Sequence, residues 1–379
     1  MNSIINPFVT KGYVSKQFFC DREEELKMLR SNFLNGINTT LISPRRMGKT
    51  GLIYRLFEEL ATDKDIETIY IDIYPSRTIS DFIKFFAEAI LKKFPEKTNF
   101  GQKFLQFIKG FRPSLSFDAL TGEPQISILY QSEQQKELTL RSLFEFVDSQ
   151  NKTILIAIDE FQQINEYPEG NMEALLRTYI NQLHNIRFIF CGSKKSMMID
   201  MFSNAKRPFY ASSQFLSLEC IDRKNYSSFI EATFGNFDVS ITQEALDFIL
   251  EWTKTHTFYT QSLCNKVFSS GIKHIDVEQV KEACVALLKN YEAVYLQYRQ
   301  LLTVAQWNFL IALAKQNVVR QITAQDFIQK YNIGTPANAR RINKALIEKE
   351  LVLMYTTKNG ASYQVYDVFF SRWLELEYS

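Results

Sequence analysis

The residues of this chain best suited to chemistry form the run Ser43-Pro44-Arg45-Arg46-Met47-Gly48-Lys49-Thr50, followed by Gly51. The run fits the phosphate-loop pattern GxxxxGK[ST], with Ser43 in place of the first glycine. Loop N–H groups and a helix N-terminus attract phosphate oxygens. Gly48 lets the backbone approach closely. Lys49 brings a point charge to the β- and γ-phosphates, and Thr50 offers its hydroxyl to Mg2+. A serine at position 43 leaves the turn less free than glycine would. The second candidate is the pair Asp159-Glu160, which ends the apolar run Ile154-Leu155-Ile156-Ala157-Ile158. Asp159 is suited to hold Mg2+, directly or through water, and Glu160 to activate an attacking water as general base. The bland alternatives are a basic turn capping a helix, which the strand–loop–helix context mostly removes, and a solvated strand end, common for a lone Asp-Glu; together the halves describe one nucleotide site.

Such a site needs buried strands to carry both halves. Five short apolar runs supply them: Thr39–Ser43, Glu67–Ile73, Thr153–Asp159, Arg187–Gly192 and Gln214–Leu218. They are near-continuous rather than alternating, as in strands covered on both faces of a parallel sheet. Helical patterns lie between them at Thr50–Ala61, Ser80–Phe94, Leu138–Ser149 and Glu173–Leu183. This alternation predicts an α/β fold built on a parallel sheet of about five strands. The interval Gly110–Gln135, with turns at Pro113, Gly122 and Pro124, reads as an inserted loop or hairpin. From Asp222 the pattern becomes helical, at Ile241–Trp252, Thr260–Ser270 and Asp276–Tyr295, and nothing there resembles a buried strand. After Leu301, helices at Val304–Ala314, Thr323–Tyr331 and Ala337–Glu348 precede Leu351–Thr356, a Lys358-Asn359-Gly360 turn and Ser362–Val368. Asn-Gly between β-prone runs signals a hairpin, so this end reads as a winged helix-turn-helix. The expected parts are therefore 1–221, a nucleotide-binding core; 222–298, a helical lid; and 299–379, a winged helix.

Composition narrows the function. Forty-four basic against 42 acidic residues leave a net charge of +2, so any nucleic-acid contact must come from a local patch. No apolar run approaches the ~20 residues of a membrane span. The first residues, Met-Asn-Ser-Ile-Ile-Asn-Pro, do not read as a signal peptide. Five scattered cysteines (Cys20, Cys191, Cys220, Cys264, Cys284) without a CxxC pair, and three histidines without HxxxH, argue against zinc and disulfides. Reduced thiols fit the cytoplasm. The 32 phenylalanines mostly fall at helical or strand spacing, as Phe82, Phe85 and Phe86 do, which is core packing.

With these motifs in hand, the chain resembles the additional-strand P-loop ATPases, in which a strand intervenes between the phosphate-loop strand and the acidic strand. More narrowly it resembles the archaeal-type ATPase family of the STAND group, close to AAA+ proteins. Phe19-Cys20-Asp21-Arg22-Glu23-Glu24-Glu25-Leu26 is similar to that family's F-x-G-R-E-x-E-L opening, with Asp21 replacing the glycine. Ser43–Thr50 is similar to its PRRxGKT loop, and Phe190–Met198 to its CGS-x-x-SMM segment. Thr255-His256-Thr257-Phe258-Tyr259-Thr260-Gln261 keeps the aromatic and glutamine of G-x-P-Y-Y-x-Q without its glycine and proline. The resemblance implies ATP as the nucleotide, Arg22 beside base and ribose, and Ser193 as a polar sensor of the γ-phosphate. It further implies that Arg207 approaches the γ-phosphate; otherwise Ser193 is a simple cap and Arg207 a surface residue. Arg45 and Arg46 either share that part or coat the loop.

The candidate recognition helix follows Gly334-Thr335-Pro336 and carries Asn338, Arg340, Arg341, Asn343 and Lys344. Arginine and asparagine read base edges, and lysine suits phosphate. The region from Leu301 holds nine basic and six acidic residues, a mild excess for double-stranded DNA. A regulatory lid or protein contact, including self-association, is the competing use. The expected function is a slow Mg2+-dependent ATPase acting as a nucleotide switch; the alternatives are an AAA+-like DNA-binding initiator or regulator and an ATP-binding scaffold without turnover.

Overall fold

The five apolar runs pair into one sheet in the computed structural model, which describes residues 6–95, 97–111, 113–357 and 360–378. The chain divides into two compact units: Lys11–Glu219, and the segment from Cys220 onward together with the residues before Lys11. In the first, α1 (Glu23–Leu34) leads to β1 (Thr39–Ile42), α2 (Lys49–Leu60), β2 (Ile66–Asp72) and α3 (Ile79–Lys93). Next come α4 (Asn99–Lys109), the strands β3 (Ser114–Phe117) and β4 (Pro124–Ser127), and α5 (Glu133–Asp148). β5 (Thr153–Asp159), α6 (Met172–Ile180), β6 (Ile186–Gly192), α7 (Lys195–Ser203) and β7 (Gln214–Ser217) complete the unit.

The sheet order is β2-β5-β6-β1-β7, with all pairs parallel. β6 thus lies between β1 and β5, the intervening strand that the resemblance implied. Successive side chains on β5 point to opposite faces. Ile154, Ile156 and Ile158 enter the core with Phe82, Phe86 and Phe190. Leu155 and Ala157 face α1 and α2, packing with Leu29, Leu52 and Leu56. By the same period Asp159 falls on the α2 face, where the phosphate loop ends.

The inserted interval is a hairpin, β3 and β4 pairing antiparallel. The helix before it was not foreseen: α4 is capped by Thr98 and buries Phe104 and Ile108 one turn apart. The mixed-charge stretch Asp21–Lys27, expected as a solvated helix face, lies largely in α1, whereas α7 lies in a stretch read only for its motif.

The second unit contains α8 (Arg223–Gly235), β8 (Ser240–Ile241), α9 (Gln243–Trp252), α10 (Thr257–Phe268), β9 (His274–Ile275) and α11 (Val277–Leu301). Its helical character is as expected, but α8 is additional. β8 and β9 form a two-residue parallel pair in a region expected to lack strands, because Ile275 is buried and its neighbours need backbone partners. Phe8 joins this unit, its ring centroid 4.6 Å from that of Phe234, while Asn265 Nδ2 donates to its carbonyl oxygen. α11 runs unbroken through the expected 298/299 junction.

α12 (Val304–Gln316), α13 (Gln325–Lys330) and α14 (Pro336–Glu348) precede β10 (Val352–Thr357), β11 (Gly360–Val365) and α15 (Val368–Glu377). Three helices and an antiparallel wing make a winged helix. Lys358 and Asn359 of the expected turn lie outside the described residues; Gly360 takes φ +105°, open to glycine. The wing's second strand stops at Val365, short of the expected Val368, because α15 begins there. Val319 adds a bridge to Tyr363.

The two departures from the family pattern keep the backbone that the missing glycines would serve. Asp21 sits at φ +56° and Thr255 at φ +51°. Aspartate tolerates the left-handed region, but a β-branched residue there is strained. Left-handed conformation costs an L-residue roughly 1–2 kcal/mol, offset by about 0.5–1 kcal/mol for glycine's extra unfolded freedom. Thr255→Gly is therefore expected to raise the melting temperature by about 1–3 °C. A lowered value in differential scanning fluorimetry would show that Thr255 is held by more than its backbone.

Candidate functional site

Strand β1 ends at Ile42 and the loop 43–48 delivers the chain to α2. Arg46 and Gly48 take positive φ, +64° and +94°, whereas Ser43 does not. The missing first glycine is therefore no obstacle, since that position needs no left-handed backbone. Ser43 is fully buried, and its hydroxyl donates to the Pro44 carbonyl at 3.0 Å. Met47 is buried beneath the loop, Pro44 and Arg45 are half-buried, and Arg46 is exposed.

Lys49 opens α2 and is 7% exposed. Its ammonium donates to the Ser43 carbonyl (3.1 Å), the Pro44 carbonyl (3.3 Å) and Ser43 Oγ (3.4 Å). Burial lowers its pKa from the ordinary 10.5; Asp159 and Glu160 pull the other way. A desolvated cation held by neutral carbonyls is poised for an anion.

The acidic half converges on the same loop. Thr50 Oγ1 donates to Asp159 Oδ2 at 3.1 Å, joining residues 109 positions apart. The Tyr70 hydroxyl, from β2, donates to the same oxygen at 2.5 Å. Burial, then the Asp159 charge, raises the Tyr70 phenol well above its ordinary range, so it remains a donor. Asp72 stands beside Asp159 in the β2–β5 register, and burial raises its carboxyl.

Glu160 follows at φ +54°, a strained backbone for a non-glycine residue. Its carboxylate accepts a hydrogen bond from Ser193 Oγ at 2.7 Å and one from Gln162 Nε2. Ser193 thus meets the Glu160 carboxylate rather than merely capping a strand. Gly192 just before it has a steric reason: a Cβ there would lie 2.5 Å from Gln162 Oε1 and 2.5 Å from Met198 Cγ. The CGS and SMM parts of the segment interlock at this point.

Two expected site residues, Arg22 and Arg207, are engaged elsewhere, and Gly51 packs against Phe19. Arg22 is buried; it pairs with Glu25 at 2.8 Å and donates to the Glu219 carbonyl at 2.6 Å, tying the start of α1 to the chain beyond β7. Gly51 makes room for Phe19, whose ring lies 3.2 Å from where a Cβ would stand. Arg207 pairs with Glu173 at 2.7 Å and Asp200 at 3.7 Å and donates to Asn165 Oδ1. On α14, Arg340, Arg341 and Lys344 are exposed. Asn343, expected on the recognition face, is buried at 5% exposure, and Asn338 donates to the Ile333 carbonyl, so neither is free to read bases. Tyr70, Gln162 and Asp72 were not singled out from sequence. Only the alternation of Tyr70 and Asp72 at the end of β2 hinted at them.

The chemistry of the donors fits phosphate and Mg2+. A carboxylate and a hydroxyl already within hydrogen-bonding distance are hard oxygen donors, and Mg2+ is held by one or two carboxylates plus substrate phosphates. Among the described residues no helix is long and apolar enough to cross a membrane.

Residues 19–257 match the family of ATPase domains predominantly from Archaea, and residues 293–376 match a probable winged helix domain. A search of the curated proteins found no match. Among solved structures, the Walker-type ATPase paby2304 of Pyrococcus abyssi is 19% identical, with TM-score 0.66, over 97% of this chain and 99% of that one. The Aeropyrum pernix ORC2 protein in ADPNP–ADP complexes is 14% identical, with TM-score 0.59, over 98% of each chain. The A. pernix ORC1 protein in complex with DNA is 12% identical, with TM-score 0.52, over 95% of this chain and 93% of that one. These likenesses are of fold. With a matching family over more than half its length, the chain belongs to the ATPase domains found predominantly in Archaea and carries a C-terminal winged helix.

Proposed function

We propose that this chain binds ATP with Mg2+ at the β1–α2 loop, hydrolyses it slowly to ADP and phosphate, and uses the nucleotide state as a switch. The observation that carries this reading is the Thr50–Asp159 hydrogen bond, which joins the two motif halves beside buried Lys49. When bound at Thr50 and Asp159, Mg2+ would supply positive charge to offset that of the phosphates. Lys49 would exchange its carbonyl partners for the β- and γ-phosphates. Thr50 and Asp159 would hold the metal, and Glu160, oriented by Ser193, would accept the proton of the attacking water. Loop residues Pro44–Gly51 would surround the phosphates. Arg207 must leave Glu173 to reach them, or an arginine from a neighbouring subunit takes that part; Arg22 beside the base and ribose would likewise have to leave Glu219. Residues 222–298 would serve as a helical lid, and five scattered cysteines without a CxxC pair suit the cytoplasm. Phosphate release from ATP by the full chain, abolished by EDTA, tests the reading. ATP binding without any release would leave a nucleotide-binding scaffold instead.

A second reading rests on α14, whose Arg340, Arg341 and Lys344 are all exposed. It makes the chain an AAA+-like initiator or regulator that docks its winged helix on double-stranded DNA; ORC1, similar in fold, was solved with DNA. Fluorescence anisotropy with a duplex should then show affinity falling steeply with salt. Arg340→Ala/Arg341→Ala should weaken it and lower the log–log salt slope by about 2. Absent or salt-independent binding would leave the winged helix as a lid or protein contact.

A further inference from the structure

Asp159 is held by more than the two motifs supply. Its Oδ2 accepts both the Thr50 hydroxyl at 3.1 Å and the Tyr70 hydroxyl at 2.5 Å, and its Oδ1 accepts the Glu160 backbone N–H at 3.0 Å. Tyr70 belongs to β2, where its backbone partner is Ala157, two residues before Asp159. Period-two alternation puts Tyr70, Ala157 and Asp159 on the α2 face together. The ring packs against the core on that face and lies 5.2 Å from the ring of Tyr54 on α2, inclined by 36°. The hydroxyl is therefore delivered to Asp159 by a rigid, well-packed strand.

We propose that Tyr70 is a positioning residue of the metal site, fixing the Asp159 carboxylate from outside both motifs; this rests on the nucleotide reading above. Thr50 is itself expected to ligate the metal, so its hydroxyl cannot serve as a permanent support for Asp159. Among the described residues Tyr70 is the other side chain that donates to Oδ2. A donor of this kind orients a ligand carboxylate, and loss of such partners typically weakens metal affinity about 10–100-fold.

Tyr70→Phe removes the hydroxyl and keeps the ring. The test uses the full chain, with ADP affinity measured in EDTA and Mn2+ affinity of the ADP-loaded protein measured by electron paramagnetic resonance. The expected result is unchanged ADP binding in EDTA and Mn2+ affinity lowered about 10-fold or more. Tyr54→Phe, which leaves the Asp159 contact intact, should match wild type in both. Wild-type Mn2+ affinity in Tyr70→Phe, alongside its loss in Asp159→Asn, would overturn the proposal and leave the nucleotide reading standing. A parallel loss of ADP affinity in EDTA would also overturn it, since Tyr70 would then support the loop rather than the carboxylate. Wild-type Mn2+ affinity in Asp159→Asn would remove the metal reading itself, and this proposal with it.

Discussion

Glu160→Gln is expected to reduce ATP turnover by about 10²–10⁴-fold, or to background, while ATP affinity stays close to wild type. The amide preserves the length and shape of the side chain. It still accepts the hydrogen bond that Ser193 Oγ makes to the carboxylate at 2.7 Å. What it loses is the capacity to take a proton from water. The left-handed backbone at residue 160, φ +54°, is already borne by a side chain of the same size, so the substitution adds no new strain. Phosphate release and ATP binding, measured on the same preparations, separate the two effects. Equal turnover in both proteins would move the base elsewhere; loss of binding as well would mean that Glu160 organises the loop.

Lys49→Met should weaken ATP binding on the order of 10–100-fold, because hydrogen bonds to charged groups contribute about 1.5–3 kcal/mol. The same substitution is expected to stabilise the nucleotide-free protein on the order of 1 kcal/mol at neutral pH, since burial of the ammonium disfavours the folded state. The sign follows from the lowered pKa. Between that lowered value and the ordinary 10.5 the unfolded chain binds more protons than the folded one, so wild-type stability rises with pH across this window. Methionine removes the titration, and its advantage should shrink as the pH approaches 10.5. Denaturant melts in EDTA at several pH values measure this. A pH-independent difference would show that desolvation of Lys49 is not the cause. ATP at 100-fold excess over the wild-type Kd should invert the order, adding about 2.7 kcal/mol to wild type against about 0.4–1.4 kcal/mol to a variant that binds about 10–100-fold more weakly.

The local chemistry of the site was legible in one dimension. The loop 43–50 and the pair Asp159-Glu160 announced themselves because phosphate binding demands particular residue types at fixed spacing on a single turn of chain. The sheet was equally plain, since strands buried on both faces cannot avoid near-continuous Ile, Leu and Phe. Helix α4 lay unassigned between the expected helix Ser80–Phe94 and the interval from Gly110, and its buried side rests on only Gly101, Phe104 and Ile108. The exposed-looking polar residues of α14 misled in part: Asn343 faces inward, a fact fixed by the rotation of the helix against its neighbours.

Which residue types are present, and which strand and loop carry them, belonged to the sequence, because they follow from interactions within a few residues. Which side chains meet was settled by packing. Tyr70 reaches Asp159 across 89 positions, and Ser193 reaches Glu160 across 33. Arg22 and Arg207 turn to Glu219 and Glu173 instead of to the loop. These pairings depend on strand order and on which face each residue presents, and both arise only when distant strands choose their neighbours.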